Sequence, residues 1–144
     1  MCAEQYVDPS RMNFDAFKAL DRKTPILMLN KLTFYNQARY EDGHPLAKTP
    51  MTGADAYANY GADSGPVFSR VGGSIIWRGK FESTVIGPSD ESWDQVFIAR
   101  YPNAEAFLEM VTDPVYQQAV KHRQAAVLTS RLQRFGELEF GNTF

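Results

Sequence analysis

The fold is decided in the second half of the chain, by GGSIIWRGKFESTVIG at residues 72–87, WDQVFIARYPNAEAFLEM at 93–110 and DPVYQQAVKHRQAAVL at 113–128. In this order the three segments predict a β-hairpin, a buried strand and a long amphipathic helix. Asn103 is expected to cap a helix that follows the buried strand. The last helix is expected to begin at Asp113 and Pro114, because aspartate caps helices well and proline suits the first helical position.

The first half of the chain supplies the remaining elements. Residues 8–22 predict a short helix, because their apolar residues recur at helical spacing, and either Asp8 or Ser10 can cap it. Residues 26–34 (ILMLNKLTF) predict a strand that is buried on both faces. The polar segment at 35–51 is long for a loop and is a candidate lid or dimer-contact arm. Thr52 is expected to cap the next helix, which Gly65-Pro66 should interrupt.

The second half is expected to contribute four strands, at residues 74–77, 81–86, 93–101 and 130–135, with residues 78–80 as the turn of the hairpin. After the leading helix, and with the extra strand of the hairpin set aside, the order of elements is β-α-β-β-α-β. This is the ferredoxin-like arrangement with an antiparallel sheet, so the fold class is α+β.

We expect one ferredoxin-like domain at residues 25–144, with the extra hairpin and a helical extension at residues 1–24. In this fold the helices cover one face of the sheet and leave the other bare. The bare face is predicted to be apolar, which a soluble monomer cannot easily expose to water. We therefore expect a homodimer, a dimeric α/β barrel in which two sheets pack around an interior hollow.

The bulk composition narrows the class of protein. The net charge of −2 is spread along 144 residues, whereas nucleic-acid binding requires a concentrated basic patch. No apolar run approaches the roughly 20 residues that cross a bilayer, and no signal peptide is visible. Cys2 is the only cysteine, which fits a reducing compartment. The expectation is a cytoplasmic protein that binds neither nucleic acid nor membrane.

The best chemical pair in the sequence is His122 with Arg123. Histidine acts as a general base near neutral pH, and arginine holds a carboxylate or an enolate. Beside a cavity, this pair would deprotonate a substrate and steady the resulting anion. In the structural alternative, Arg123 pairs with a nearby acid and His122 caps or packs.

Aromatic and polar residues on the predicted strands and helices are candidates for binding a substrate. Asn30 lies on a buried strand face, where it either reads a substrate carbonyl or ties the strand to a loop. Asp94 either orients the His122–Arg123 pair or ends a turn, and the aromatic rings either line a pocket or fill the core. The full set of candidates is Asn30, Tyr57, Trp77, Trp93, Asp94, Tyr101 and Tyr116.

The sequence offers no metal, phosphate or nucleophile motif. The two histidines, His44 and His122, are far apart in the sequence and lack a companion ligand pair. Gly72-Gly73 is not followed by a phosphate-binding pattern, and no serine is marked as part of a catalytic triad. We therefore expect neither a metal nor a cofactor.

Several segments together resemble the domain-of-unknown-function family 1330 (DUF1330) of the dimeric α/β-barrel superfamily. They are TPILMLNKLTF, TGADAYANYG, VGGSIIWRGK, IGPSDESWDQVFIARYP and FLEMVTDPVYQQAVKHRQAAVL, and the similarity runs from about residue 24 to the end. The resemblance implies the ferredoxin-like fold and the sheet-to-sheet dimer. It supplies no reaction, because the wider superfamily includes cofactor-independent monooxygenases, a lactone isomerase, haem enzymes and stress-response proteins. Haem binding through His122 would rest on that analogy alone.

Two functions follow as hypotheses. In the first, the protein binds a small aromatic or carboxylic substrate and acts as a cofactor-independent oxygenase or isomerase. In the second, it is a non-catalytic dimeric binding or stress-response module, with a filled core and a salt-bridged Arg123. The cavity and the partners of Arg123 distinguish these hypotheses.

Overall fold

The computed structural model describes residues 4–144, so Cys2 lies outside the described part of the chain. Within that part the chain forms four helices and four strands. In chain order they are α1 (Arg11–Ala19), β1 (Ile26–Phe34), α2 (Gly53–Arg70), β2 (Ser74–Gly79), β3 (Gln95–Tyr101), α3 (Ala104–Thr112), α4 (Pro114–Ala126) and β4 (Val127–Phe135).

The four strands form one antiparallel sheet in the order β2-β3-β1-β4. Strand β1 is central and pairs with β3 on one side and with β4 on the other. This order, with helices between the strands, is the ferredoxin-like α+β fold and confirms the fold class predicted from the sequence.

The two faces of the sheet differ in burial, whereas the sequence predicts that β1 is buried on both faces. Ile26, Met28 and Leu32 are buried beneath the helices. Leu27 and Leu29 point to the opposite face and are only partly buried. That second face is called the open face below, because it lies away from the helix-covered hydrophobic core.

The helices begin at the caps that the sequence predicts. The side chains of Ser10, Thr52, Asn103 and Asp113 each accept a hydrogen bond from a backbone N–H in the first turn of their helices. These bonds satisfy donors that the helix itself cannot pair. Helix α1 is shorter than the predicted residues 8–22, because Ser10 rather than Asp8 is its cap.

The expected interruption of α2 at Gly65-Pro66 is wrong, because the helix runs unbroken through Pro66. Proline removes the hydrogen bond that would reach the carbonyl of Ala62. Ala62 is exposed, so water can solvate that carbonyl. One turn is therefore weakened without ending the helix.

The predicted hairpin is also wrong. Arg78 and Gly79, expected in the turn, belong to β2 and pair with β3, so no tight turn remains to fold residues 81–86 back onto the strand. Those residues lie in an irregular connection instead, with Val85 and Ile86 92% and 95% exposed.

Two strand boundaries move. Strand β3 begins two residues later than predicted, and β4 begins at Val127 directly after α4 rather than at residue 130. No helix of residues 4–144 is both long enough and apolar enough to pass through a bilayer.

Candidate functional site

The main cavity lies between the helix-covered face of the sheet and the helices, within a single chain. Its volume is about 1620 Å³ and it is partly open to solvent. All four helices and the segment at residues 6–10 contribute to its wall. This hollow therefore forms without a second chain. A further hollow between two sheets stays a prediction.

The floor of the cavity is a row of side chains that crosses the whole sheet. The strand register aligns Arg78 on β2, Phe97 on β3, Asn30 on β1 and Leu132 on β4. All four line the cavity. The floor thus runs from a cationic group at one edge, across an aromatic ring and an amide, to an apolar residue at the other edge.

The roof carries tyrosines from two helices. Tyr57 and Tyr60 come from α2 and Tyr116 comes from α4. The hydroxyls of Tyr60 and Tyr116 lie 3.0 Å apart and share a hydrogen bond. Tyr101, on β3, places its hydroxyl 3.9 Å from the sulfur of Met110. Tyrosine rings and hydroxyls therefore form much of the polar surface above the floor.

Burial raises the pKa of each of these phenols above its ordinary value, because the charged phenolate is poorly solvated in the core. The pKa of Tyr57 rises to about 12. At neutral pH the phenols are therefore protonated, and they act in the cavity as hydrogen-bond donors rather than as bases.

Arg123 is the charged group of the roof and comes from the last turn of α4. It is partly buried and donates to the carbonyl of Val7 and to Oγ of Ser130. It forms no ion pair with a carboxylate of residues 4–144. The expected alternative of a salt-bridged Arg123 is therefore wrong, and its positive charge faces the cavity uncompensated.

Asn30 forms a hydrogen bond within its own strand and also lines the cavity. Its Nδ2 donates to the carbonyl of Met28, 3.0 Å away on the same strand, so it does not tie the strand to a loop. It also lines the floor between Phe97 and Leu132. Substrate binding by this amide stays a prediction.

His122 lies in a different region from Arg123. Its Nδ1 is 2.7 Å from the hydroxyl of Tyr40, and its Nε2 is 2.9 Å from Oδ2 of Asp63. Neighbouring residues on a helix are turned by about 100°, so the two side chains leave α4 in different directions. His122 is 9% exposed and does not line the cavity, so the predicted His122–Arg123 pair does not form.

The loop at residues 35–51 is fastened beside His122. Its backbone donates to the carbonyls of Ala125 and Ala126 at the end of α4, and Tyr40 stacks on His44 with ring centroids 4.5 Å apart. None of these loop residues lines the cavity. The loop is therefore not a lid over this cavity, while a role in dimer contact stays a prediction.

Three predicted binding residues also lie away from the cavity. The side-chain carboxylate of Asp94 accepts a hydrogen bond from the backbone N–H of Phe34, and the backbone N–H of Asp94 donates to the carbonyl of Leu32. Asp94 therefore extends the pairing of β1 and orients neither His122 nor Arg123. Trp93 lies beside Lys31, which is on the open face, and beside the guanidinium of Arg131.

Trp77 is displaced by a backbone irregularity. The pairing of β2 shifts register between Ile75 and Trp77, so Ile75 lines the cavity while Trp77 lies on the open face over Gly79. The alternation of a regular strand would have placed Ile75 and Trp77 on the same face.

The cavity is thus lined by five of the residues predicted to bind a substrate and by several others that were not predicted. The five are Arg123, Asn30, Tyr57, Tyr101 and Tyr116. Phe97 could have been found, because it alternates with Tyr101 on β3, and Tyr60 follows Tyr57 at helical spacing. The sequence predicts Arg78 in a turn rather than in a cavity wall. Nothing in the local sequence indicates that Ser130 lines a cavity. In residues 4–144 no three metal-ligating side chains come together.

Comparison with known proteins gives a family but no reaction. Residues 42–132 match the family described as a domain of unknown function, DUF1330. No curated protein matches the chain.

The solved structures supply one close relative and one distant likeness of fold. A protein of unknown function from Rhodopseudomonas palustris is 52% identical, with 94% of this chain and 99% of that chain covered and a TM-score of 0.87. SnoaB, a cofactor-independent oxygenase from Streptomyces nogalater, is 16% identical. The match covers 81% of this chain and 96% of SnoaB, with a TM-score of 0.51. Because the family model matches more than half of the chain, the chain belongs to the DUF1330 family.

Proposed function

We propose that this protein binds a small aromatic acid in the helix-side cavity, with the acid group at Arg123. The observation that carries the proposal is the state of Arg123: a partly buried guanidinium, in a cavity wall, with no carboxylate partner among residues 4–144. A guanidinium has five donors and is suited to a carboxylate. Only two acceptors for Arg123, Val7 and Ser130, come from those residues.

The aromatic character of the ligand follows from the walls. Phe97 forms the middle of the floor, and Tyr57 and Tyr116 lie in the roof. Aromatic rings attract one another in offset or edge-to-face arrangements, beyond the gain from buried area. A flat aromatic body between these walls would bury its faces and leave an acid group free to reach Arg123.

The geometry supports binding more strongly than catalysis. Cofactor-independent oxygenation or isomerisation of such a ligand needs a base to remove a proton. The tyrosines are protonated at neutral pH, and the predicted base, His122, is bonded to Tyr40 and Asp63 outside the cavity. The fold shared with SnoaB does not supply that base. We therefore propose that the protein binds its ligand without transforming it.

We also propose that two copies associate through the open face of the sheet. Its apolar residues include Leu29 on β1, which is opposite Ile98 on β3, and Leu27, which is opposite Arg100. Trp77, at the edge of this face, is 50% exposed. Burying such a patch against an identical patch satisfies the closed symmetry that most homodimers use.

A thermal-shift comparison tests the binding proposal. 2-Naphthoate should raise Tm, and the neutral isostere 2-naphthamide should raise it less, because binding to the native state alone stabilises it. Arg123→Met should abolish the difference between acid and amide, whereas Arg22→Met, remote from the cavity wall, should preserve it. The proposal fails if the acid has no effect on the native protein or if Arg123→Met leaves the difference unchanged.

Light scattering tests the dimer separately. The expected mass is twice the 16.3 kDa of the chain. Leu29→Glu should shift the mass toward the monomer, because a buried, unpaired carboxylate in the interface is costly. A native protein that stays monomeric at micromolar concentration would contradict the proposed association.

A further inference from the structure

The cavity is far more cationic than the chain as a whole. The full chain has 15 basic and 17 acidic residues. The charged residues of the cavity wall are five arginines and one aspartate, namely Arg11, Arg78, Arg123, Arg131, Arg134 and Asp8. Because the wall contains one third of the basic residues and only one acidic residue, the electrostatic potential in the cavity is positive.

Most of these arginines are already engaged by neighbouring groups. Arg11 lies 3.9 Å from Asp15. Arg131 covers the ring of Tyr6 at 4.7 Å. Arg134 covers the ring of Phe17 at 5.1 Å and donates to backbone carbonyls near α1. Each of these three guanidinium groups therefore already has a neighbouring group as a partner.

Arg78 and Arg123 differ from the other three. Arg78 makes no hydrogen bond, ion pair or ring contact with residues 4–144 and lies at the β2 end of the floor row. Arg123 reaches Ser130, on β4, at 3.2 Å. Since β2 and β4 are three strand spacings apart, about 14 Å, the two cations lie at opposite edges of the cavity.

The aromatic part of the cavity lies between these two cations. Phe97 and Asn30 occupy the floor between the edge strands. Tyr57 lies above them, and while burial raises its pKa, the charges of Arg123 and Arg78 both oppose that rise. Both positive charges thus act on the same central region of the cavity.

Building on the proposed function, we propose that the ligand class is an aromatic compound with two acid groups at opposite ends. One acid group binds Arg123 near β4, and the other binds Arg78 at the β2 edge. The ring system lies on Phe97 beneath Tyr57. A monoacid would use Arg123 alone and leave Arg78 in water, so the second acid group is what the β2 edge selects.

Isothermal titration calorimetry with two matched ligands tests this inference. The ligands are naphthalene-2,6-dicarboxylate and 6-carbamoyl-2-naphthoate, which has a neutral amide of the same shape in place of one carboxylate. The Kd of the diacid for the native protein should be about tenfold lower than that of the amide. Two equivalent acid ends alone would give only a roughly twofold statistical advantage. Arg78→Gln should reduce the ratio to that statistical factor, mainly by weakening the binding of the diacid.

A control variant and an unfolding curve complete the design. Arg22→Gln should keep the native ratio, and the exposed position of Arg78 means that Arg78→Gln should melt like the native protein without ligand. A native ratio of twofold or less, or a ratio unchanged by Arg78→Gln, overturns the inference while binding of the monoacid leaves the proposed function standing. If neither ligand binds, the proposed function fails and this inference fails with it.

Discussion

Two regions of the molecule share helix α4 and differ in whether their polar groups are satisfied. On one side His122 is 9% exposed, and both of its ring nitrogens lie within hydrogen-bond distance of a partner. On the other side Arg123 faces a cavity of about 1620 Å³ without an acid partner in the described chain. The comparison teaches that the more reactive residue type is here the structural one.

The closed side works as a junction. The loop at residues 35–51, the start of α2 and the end of α4 meet there, joined by backbone hydrogen bonds from Tyr35 and Gly53 and by the side chains around His122. Changes on this side should therefore alter stability and leave ligand affinity alone, whereas changes to Arg78 and Arg123 on the cavity side should mainly alter ligand affinity.

The largest effect is expected from Gly53→Ala on the closed side. A Cβ at this position would lie 2.2 Å from the carbonyl oxygen of Tyr35 and 2.8 Å from that of Ala126. Both are backbone atoms of neighbouring elements, so the junction must open, at a cost of about 3 kcal/mol in the free energy of unfolding. Urea denaturation measures this.

Gly61→Ala is the matched control, because it lies in the same helix with nothing within 4 Å of the added Cβ. It should be neutral or stabilise the helix by up to about 1 kcal/mol. Equal effects of the two substitutions would show that the junction is not tightly packed.

The next effect is expected from His122→Ala. This change leaves Tyr40 and Asp63 without their partner and opens a small cavity, so it should lower the free energy of unfolding by about 2 kcal/mol. Binding of 2-naphthoate should keep its native Kd once the fraction of folded protein is accounted for. Normal stability with lost binding would reverse the assignment of the two regions.

A smaller effect is expected from Tyr60→Phe on the cavity side. It removes the 3.0 Å hydrogen bond to Tyr116 and should cost about 1 kcal/mol of stability. Tyr101→Phe removes only a contact with the sulfur of Met110 and should cost less. Thermal unfolding of the two variants measures the difference, and a larger loss for Tyr101→Phe would contradict the assigned bonding.

The smallest effect is a pH dependence of the closed side. Burial lowers the pKa of His44, with help from His122 and Lys121 and against the attraction of Glu41. The folded pKa thus lies below the unfolded value of about 6.5, so the stability from neutral His44 is present above that pH and is lost as the pH falls below it.

Urea denaturation at pH 7 and pH 5 measures this dependence. His44→Gln should lose less stability between these two pH values than the native protein does. An equal loss in both proteins would assign the pH dependence to other groups.

Hydrophobic patterning was enough to predict β1, since its bounds at Ile26–Phe34 and the division of its side chains between two faces follow directly from the sequence. Helix starts were equally readable, because Thr52, Asn103 and Asp113 have side chains that pair with the first backbone donors.

The remaining details depend on contacts that the local sequence does not encode. Trp77 changes face because of a register shift in β2, and residues 81–86 are left unpaired because β2 runs through the expected turn. The separation of His122 from Arg123 follows from helical geometry, but which of them would face a cavity depends on how α2 and the loop pack against α4.

The most direct test of the central claim is a crystal structure of the protein with 2-naphthoate. The account predicts the carboxylate within hydrogen-bond distance of the Arg123 guanidinium, the ring system over Phe97, and His122 still bonded to Tyr40 and Asp63. A ligand seated beside His122, or on the open face of the sheet, would contradict it.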